Sequence, residues 1–300
     1  MNQKSIYKEK FKTNLERLGY SKSSQHMLPS CIAEFLSCLE EKGIYELHQI
    51  EPIHIQEHYE YLTTRPNKRK PGGLSSVMIN HHIYAIRLFL NFLEQIGVIT
   101  ENPISGLIFP KPESKAREIL TVKEIKQLYE AAENYREKAI IGIYYGCGLR
   151  RSEGVNLNVK DISFKSSLLY VREGKGKKRR VVPINEKVKE DFRNYYYSER
   201  NNYNTKRTGK PENMQAFILS NQGNRMSAST YNKTVKSLVE KAGIKKEISL
   251  HNLRHSIATH LLSNGLSVEY VRDFLGHKHL ESTQLYTRVK NKQIWNLKNT

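Results

Sequence analysis

The sequence predicts a mainly α-helical protein that carries one small β-sheet and folds as two domains. Two observations predict the secondary structure. Apolar residues recur at helical spacing along residues 76–96, and two β-prone runs flank a glycine- and lysine-rich segment at residues 173–178. A third observation, a proline-rich stretch near residue 105, predicts the division into domains.

The predicted linker is this stretch, residues 102–115, which contains three prolines and one glycine. We therefore predict a helical domain over residues 1–110 and a mixed α/β domain over residues 111–300, with the linker at about residues 103–116. A chain of 300 residues is long enough for two domains that each bury a core.

The first domain is predicted to be a set of packed helices. The clearest one has a single apolar stripe, formed by Ile79, Ile83, Ile86, Leu90 and Leu93. Residues 29–42, with Gly43 as a stop, and residues 52–62 supply two further helices that can cover this stripe. A basic loop, residues 65–73, precedes the long helix.

The second domain is predicted to mix helices with a β-hairpin. Thr121 and Glu124 form a capping box that opens a helix, which extends to about Ala132. The remaining elements are a buried helix at 138–146, a hairpin at 168–172 and 179–184, a polar surface loop at 198–213 and a helix at 227–242.

The charge is concentrated in the second domain. The whole chain carries 49 basic and 30 acidic residues, a net charge of +19. Residues 1–110 hold 12 basic and 11 acidic residues, so residues 111–300 hold 37 and 19, a net charge of +18. A nucleic-acid partner for the second domain fits this distribution, although charge alone also fits a generically basic protein.

The cysteines and the N-terminus indicate a reducing compartment. Cys31, Cys38 and Cys147 lack metal-ligand spacing, and the first two would lie about two helical turns apart, too far for a disulfide. We interpret all three as buried thiols. No apolar run resembles a signal peptide or approaches membrane-spanning length, so we expect a cytoplasmic protein.

A candidate anion site lies near the C-terminus. His251 and Arg254 are three residues apart on a helix that Ser249 can cap, and its first turn adds unpaired N–H groups and a positive dipole end. A phosphate is the natural ligand of such a face. If His277 and Tyr286 meet the same phosphorus atom, Tyr286 is the nucleophile; a solvated or salt-bridged HxxR face is the plainer alternative.

A second arginine could complete a clamp on that phosphate. The guanidinium of Arg150 offers two parallel donors that match two phosphate oxygens. Glu153 follows one helical turn later, so we expect it to pair with Arg150 and to orient the arginines in a supporting role. Arg151 falls on a different face and is predicted to be a surface residue.

In order and spacing, these residues resemble the tyrosine recombinase (phage integrase) family. The resemblance rests on Gly148-Leu-Arg-Arg-Ser-Glu153, Gly174-Lys-Gly176, His251-x-x-Arg254-His255, Leu275-Gly-His277 and Tyr286. It implies a two-domain, Xer-like recombinase with a helical core-binding (SAM-like) domain and a mixed α/β catalytic domain. The implied catalytic set is Arg150, Lys175, His251, Arg254, His277 and Tyr286.

The resemblance also implies a mechanism that needs no metal and no ATP. Tyr286 attacks the scissile phosphate to form a 3′-phosphotyrosyl link, and a strand is rejoined when a 5′-hydroxyl reverses the step. Lys175 would protonate the leaving 5′ oxygen, although Lys177 and Lys178 are close enough to replace it. His255, His260 and His279 are expected to be structural.

The DNA contacts and partners are expectations of the same kind. Candidate phosphate contacts are Lys68, Arg69, Lys70, Lys177, Lys178, Arg179, Arg225, Ser229, Tyr231 and Lys233. The implied partner is double-stranded DNA with an inverted-repeat core site, bound by a homotetramer or by a heterotetramer with a related recombinase. The C-terminal tail, with Ile294, Trp295 and Leu297, is expected to dock on a neighbouring protomer, as the resemblance implies, and docking on its own domain is the alternative.

Three alternatives remain open from the sequence. A nicking-closing topoisomerase would use the same chemistry as a monomer, and a non-catalytic DNA-binding or excision-directing factor would retain the fold. A metal-dependent nuclease is the most remote, because the 11 histidines form no cluster at ligand spacing.

Overall fold

The structure is a computed structural model that describes residues 3–68, 71–111, 118–172, 179–204 and 215–276. The chain divides into two compact units, residues 1–115 and 116–300, and the division falls inside the segment predicted as a linker. Each unit has its own cluster of buried apolar side chains. None of the helices within the described ranges combines the length and the hydrophobicity that a membrane span requires.

The N-terminal unit is built from helices in its described part, with one isolated β-bridge between Pro66 and Gly73. Its helices are α1 (Gln3–Arg17), α2 (Lys22–Glu41), α3 (Pro52–Thr64) and α4 (Ser76–Gln95). The predicted apolar stripe of α4 lies in the core, because all five of its side chains are at most 8% exposed. The Ser75 hydroxyl caps this helix by accepting from the N–H of Met78.

Helix α2 corrects the sequence prediction at its N-terminal end. It begins at Lys22, not at Pro29, and Pro29 lies inside it. The Ser21 hydroxyl caps the true start by accepting from the N–H of Ser24 at 3.2 Å. A proline inside a helix costs about 3 kcal/mol, and here the burial of Pro29 together with Leu28 and Ile32 offsets that cost.

The C-terminal unit combines helices with a small sheet. They are α5 (Val122–Glu130), α6 (Tyr135–Ile141), α7 (Arg151–Val155), α8 (Glu186–Asn194), α9 (Arg200–Asn204), α10 (Ala228–Lys241), α11 (Leu250–Ser263) and α12 (Val268–Leu275). The predicted capping box of α5 is present, since Thr121 and Glu124 each accept from the other's backbone N–H.

The sheet contains the predicted hairpin. Strands β1 (Ile162–Ser163), β2 (Leu168–Val171) and β3 (Arg180–Pro183) pair antiparallel in that order. Leu169 faces Val182 across the hairpin, and both side chains are fully buried. The hairpin tip, residues 173–178, lies outside the described residues.

The buried helix predicted at 138–146 is confirmed, with one difference in its last turn. Helix α6 continues as a π-helix over Gly142–Gly146, and every residue of that turn is buried. Gly146 must be small, because a Cβ there would lie 2.5 Å from the Val188 side chain. This segment delivers the chain from the core of the unit to Arg150.

The polar stretch predicted as a loop at 198–213 is helical in its first part. A π-helix over Tyr195–Glu199 runs directly into α9, and residues 205–214 lie outside the described residues. Arg200 explains the difference, because its guanidinium is buried and donates to the carbonyl oxygens of Phe217 at 3.1 Å and Ala216 at 2.8 Å. The polar composition predicted a loop because it gave no sign that the Arg200 side chain binds this segment to the core.

The cysteines are free thiols. Burial raises the pKa of Cys31 to about 11 and that of Cys147 to about 12, which keeps both thiols protonated and unreactive. The prediction of a buried thiol is wrong for Cys38, which is half-buried on α2.

Candidate active site

Arg150 stands at the start of α7, where the local backbone pairs it with Glu153. The Glu153 carboxylate accepts from the Arg150 backbone N–H and from its Nη1, both at 2.8 Å. Gly148 allows the chain to turn here. Its φ is +58°, and a Cβ would lie 2.9 Å from the Leu275 side chain and 3.0 Å from that of Phe274. The predicted pairing of Arg150 with Glu153 is therefore present.

The Glu153 carboxylate is the centre of the site. It is 1% exposed and receives two parallel bonds from Arg180, Nη1 to Oε1 and Nη2 to Oε2, each 2.8 Å long. Burial opposes its ionisation, but the hydrogen bonds and charge of Arg180, assisted by Arg150, lower the pKa of Glu153 to about 2. Glu153 is thus an anion that two guanidinium groups share by hydrogen bonding.

Arg254 brings a third guanidinium to the same carboxylate. It lies on α11, is nine-tenths buried, and places Nη1 3.8 Å from Glu153 Oε2. The same nitrogen donates to the Gly148 carbonyl, and Nη2 donates to the Leu275 carbonyl at 2.7 Å. Burial lowers the pKa of Arg254 to about 9, and repulsion by Arg150 and Arg180 adds to that effect.

The end of α12 closes the site. The Gly276 carbonyl accepts from Arg150 Nη2 at 2.8 Å, and Gly276 has a φ of +70°, which ends the helix in a left-handed turn. The next residue, His277, lies outside the described residues, as do Lys175 and Tyr286. The structure therefore brings together Arg150, Glu153 and Arg254 from the predicted set.

The histidines of α11 occupy different environments. His251 is exposed in the first turn of the helix, one turn before Arg254, and Ser249 is the N-cap residue as predicted. His255 is half-buried. His260 hydrogen-bonds the Tyr145 hydroxyl through Nδ1 at 2.9 Å, which agrees with its predicted structural role, and burial lowers its pKa. His279 lies outside the described residues.

The predicted DNA contacts have mixed outcomes. Lys68, Arg179, Ser229 and Lys233 are exposed, and Arg151 is exposed as predicted. The prediction is wrong for Tyr231, which is 1% exposed and packs edge-to-face on Tyr144. Arg69, Lys70, Lys177 and Lys178 lie outside the described residues, as do Ile294, Trp295 and Leu297.

Arg225 has an internal structural role. Its Nη1 donates to the Val155 carbonyl at 2.8 Å, and its Nη2 donates to the Asn158 side chain at 2.6 Å. These bonds fasten the segment before α10 to the end of α7, and a phosphate contact by Arg225 stays a prediction.

Sequence reasoning missed Arg180, which it placed only in the second strand of the predicted hairpin. The signal that could have identified it is the two-residue period of a strand. Arg180 precedes the fully buried Val182 by two positions, so both point to the same side of β3. An arginine on the inward face of a strand needs a buried anion, and Glu153 is that anion.

Comparison with known sequences identifies relatives over most of the chain. The Phage integrase family matches residues 118–293. A tyrosine recombinase from Pseudothermotoga lettingae is 34% identical over 264 residues, which cover 87% of this chain and 86% of the relative. The tyrosine recombinase XerA of Pyrococcus horikoshii is 31% identical over 290 residues, covering 95% of this chain and 90% of the relative.

Solved structures share the fold at lower identity. A lambda integrase dimer bound to a COC′ core site is 18% identical with a TM-score of 0.68, and the match covers 92% of this chain and 95% of that one. The Tn1549 transposon integrase in complex with transposon right end DNA is 18% identical with a TM-score of 0.69, covering 94% and 97%. Because the family match spans more than half of the chain and the sequence relatives exceed 30% identity, this chain belongs to the phage integrase family, the tyrosine recombinases.

Proposed function

We propose that Arg150 and Arg254, which meet at Glu153, form the phosphate-binding half of the active site of this site-specific DNA recombinase, and that Tyr286 supplies the nucleophile. The observation that carries the proposal is the convergence of Arg150 and Arg254. They are 104 positions apart in sequence, yet both reach the carboxylate of Glu153. An arginine pair of this kind matches the non-bridging oxygens of one phosphate.

The balance of charge supports an anionic ligand. Three guanidinium groups share one carboxylate, which leaves a net charge of +2 on these four groups. The lowered pKa of Arg254 shows that burial and the neighbouring cations oppose its charge. A bound phosphate diester would relieve that repulsion, and the relief grows as negative charge develops on a pentacoordinate phosphorus.

The proposed reaction exchanges one phosphodiester for another. The phenolic oxygen of Tyr286 forms a bond to phosphorus as the bond from phosphorus to the 5′ oxygen breaks. The products are a 3′-phosphotyrosyl link and a 5′-hydroxyl strand. The tyrosine gives up its proton and the leaving oxygen gains one, so neither redox chemistry nor ATP is required. Attack by another strand's 5′-hydroxyl reverses the step and completes strand exchange.

The remaining assignments complete the proton transfers. We assign His251 to the tyrosine proton or to the phosphate, since it is exposed one turn before Arg254. We assign His277 to a non-bridging oxygen because it follows Gly276, whose carbonyl Arg150 holds. Lys175 is assigned as the general acid for the 5′ oxygen.

The proposed partner is double-stranded DNA with an inverted-repeat core site. The two solved relatives described above are DNA complexes, and the net charge of +18 on residues 111–300 suits a polyanion. We propose that residues 1–110 and 111–300 both contact the duplex, with Lys68, Arg179 and Lys233 among the phosphate contacts.

The assembly on DNA is proposed to be a tetramer of this chain, or of this chain with a related recombinase, in which the C-terminal tail docks on a neighbour. The proposed compartment is the cytoplasm.

Covalent trapping tests the proposed function. The protein is incubated without metal or ATP with nicked suicide duplexes taken from the DNA that flanks its gene, and adducts that survive denaturation are collected and sequenced. Wild-type protein should form an adduct, Tyr286→Phe should form none, and Arg254→Gln should reduce the rate by about 10²-fold or more.

The matched control is Tyr270→Phe, which removes the hydroxyl of an exposed tyrosine on α12 and should leave the adduct intact. Selective DNA binding by the wild type with no adduct on any duplex would establish a non-catalytic DNA-binding protein instead. Relaxation of a supercoiled circle by a monomer, without exchange of strands, would establish a topoisomerase.

A further inference from the structure

Arg180 joins three elements of the C-terminal unit at one point. Arg180 is the first residue of β3. Its guanidinium donates two parallel hydrogen bonds to Glu153 in the first turn of α7. Its side chain packs against Gly276 at the end of α12. A Cβ on Gly276 would lie 2.7 Å from Arg180 Cδ, so the glycine is what allows this approach. The Arg180 side chain is 8% exposed, which places it among the buried groups of the site and not on the basic surface.

The fork of Arg180 fixes the orientation of the Glu153 carboxylate. Each carboxylate oxygen accepts one bond from Arg180, and two parallel bonds leave the carboxylate no freedom to rotate. Arg150 then binds Oε1 with its side chain and Oε2 with its backbone N–H. Arg180 therefore fixes the position of the Arg150 guanidinium indirectly, by holding the Glu153 carboxylate to which Arg150 is hydrogen-bonded.

Arg180 also determines the net charge of the cluster. With Arg180 present, Arg150, Arg180, Arg254 and Glu153 carry a net charge of +2, and without it they carry +1. A phosphate diester carries one negative charge, and its charge grows toward two as a fifth oxygen bonds to phosphorus. A cluster of +2 thus favours the reacting phosphate over the resting one.

We propose that Arg180 is a positioning residue of the active site, which acts through Glu153 to fix the geometry and the net charge of the Arg150–Arg254 phosphate clamp. This inference rests on the proposed function and deepens it by adding a residue that holds the clamp without being assigned a contact to DNA. Its loss should slow strand cleavage more than it weakens DNA binding.

The first test compares cleavage with binding on any suicide duplex that the wild type cleaves. Arg180→Gln should lower the single-turnover rate of adduct formation by about 10- to 100-fold, the loss typical of a residue that orients a metal ligand, because Arg180 orients Arg150 in the same indirect way. Its DNA affinity should stay within about threefold, because phosphate contacts along the whole interface determine DNA binding and none of them is removed. Arg180→Lys keeps the charge but lacks the fork, so its rate should fall between those of Arg180→Gln and the wild type.

The matched control is Arg172→Gln. Arg172 follows Val171, the residue that pairs with Arg180, and it binds a different carboxylate, that of Asp161. The control should cleave at the wild-type rate. In the double variant Arg180→Gln with Glu153→Gln, the rate should be no lower than in Arg180→Gln alone, because both residues act through one contact. The proposal would be overturned if the loss of rate in the double variant equalled the product of the losses in the two single variants.

A second test needs no DNA and separates this inference from the proposed function. Calorimetry measures the affinity for inorganic phosphate at constant ionic strength. Affinity should fall by about tenfold in Arg180→Gln, stay unchanged in Arg172→Gln and return to within about threefold of the wild type in the double variant, which restores the net charge of +2. An absent adduct in the wild type would reject the catalytic function only, whereas wild-type phosphate affinity in Arg180→Gln would reject the role of Arg180 regardless of cleavage.

Discussion

Replacing Glu153 by glutamine tests whether the buried carboxylate holds the C-terminal unit together. The substitution keeps the shape of the side chain and removes its charge. It leaves Arg150, Arg180 and Arg254 without a counter-ion, and one of the two oxygens that Arg180 approaches becomes an NH₂ group. A donor then faces a donor inside the protein, where no water can screen the repulsion.

The magnitude follows from the pKa of Glu153, which is lowered from 4.5 to about 2. Each pKa unit corresponds to about 1.4 kcal/mol, so the ionised carboxylate contributes roughly 3 kcal/mol to the free energy of unfolding at pH 7. Because the folded-state pKa is depressed, this stability is complete well above pH 4.5 and is lost as the pH falls toward 2. The advantage of the wild type over Glu153→Gln should shrink by about 1 kcal/mol at pH 4 and by about 2 kcal/mol at pH 3.

Urea unfolding followed by circular dichroism from pH 3 to pH 7 measures this difference. The control is Glu240→Gln, an exposed glutamate on α10, which should stay within about 0.5 kcal/mol of the wild type at every pH. Added inorganic phosphate should stabilise Glu153→Gln more than the wild type, since it supplies the missing anion. A loss below 1 kcal/mol at pH 7, or a loss that does not change with pH, would refute the reasoning.

Two further predictions concern single positions. Burial lowers the pKa of His58 to about 3, so His58 stays neutral in the folded state. The free energy of unfolding of the N-terminal unit should therefore be highest above the unfolded-state pKa of 6.5 and should be about 2 kcal/mol lower at pH 5. Hydrogen exchange in the N-terminal unit measures this loss, which should appear in the wild type and in the control His26→Gln, a substitution at an exposed position. A loss of equal size in His58→Phe would exclude His58 as its cause. Gly148→Ala should destabilise the C-terminal unit by about 2–4 kcal/mol in urea, because it adds contacts of 2.9 and 3.0 Å to the strain of a positive φ. Gly243→Ala has the same kind of φ, +68°, and no atom within 4 Å of the new Cβ, so it should cost only about 1–2 kcal/mol, and equal losses in the two variants would show that packing at Gly148 is unimportant.

Local patterns in the sequence determined much of the secondary structure. The stripe on α4, the capping box of α5 and the β2–β3 hairpin depend on neighbours within a few positions, and all three are present. The Arg150–Glu153 ion pair is also a local feature, because a spacing of three residues in the first turn of a helix brings the two side chains together. Sequence order and spacing also sufficed to indicate the family.

Local rules failed where a distant contact outweighs them. Pro29 signals a helix start, yet its burial in the core keeps it inside α2. Residues Arg200–Asn204 are polar enough for a loop, yet the Arg200 guanidinium reaches two main-chain carbonyls on the core and holds them as a helix. The resemblance implied that Tyr231 contacts DNA, but its ring lies against Tyr144 in the core.

The site shows the same division between local and long-range determinants. The sequence by itself determined that Arg150 and Glu153 are paired and that Arg254 stands one turn after His251. Only the tertiary structure decided that the buried anion facing Arg180 is Glu153 and that Arg254, 101 positions after Glu153, shares its carboxylate. The physical reason is that a buried charge must meet its counter-charge, and which residues meet depends on how β3, α7 and α11 pack rather than on any neighbour along the chain.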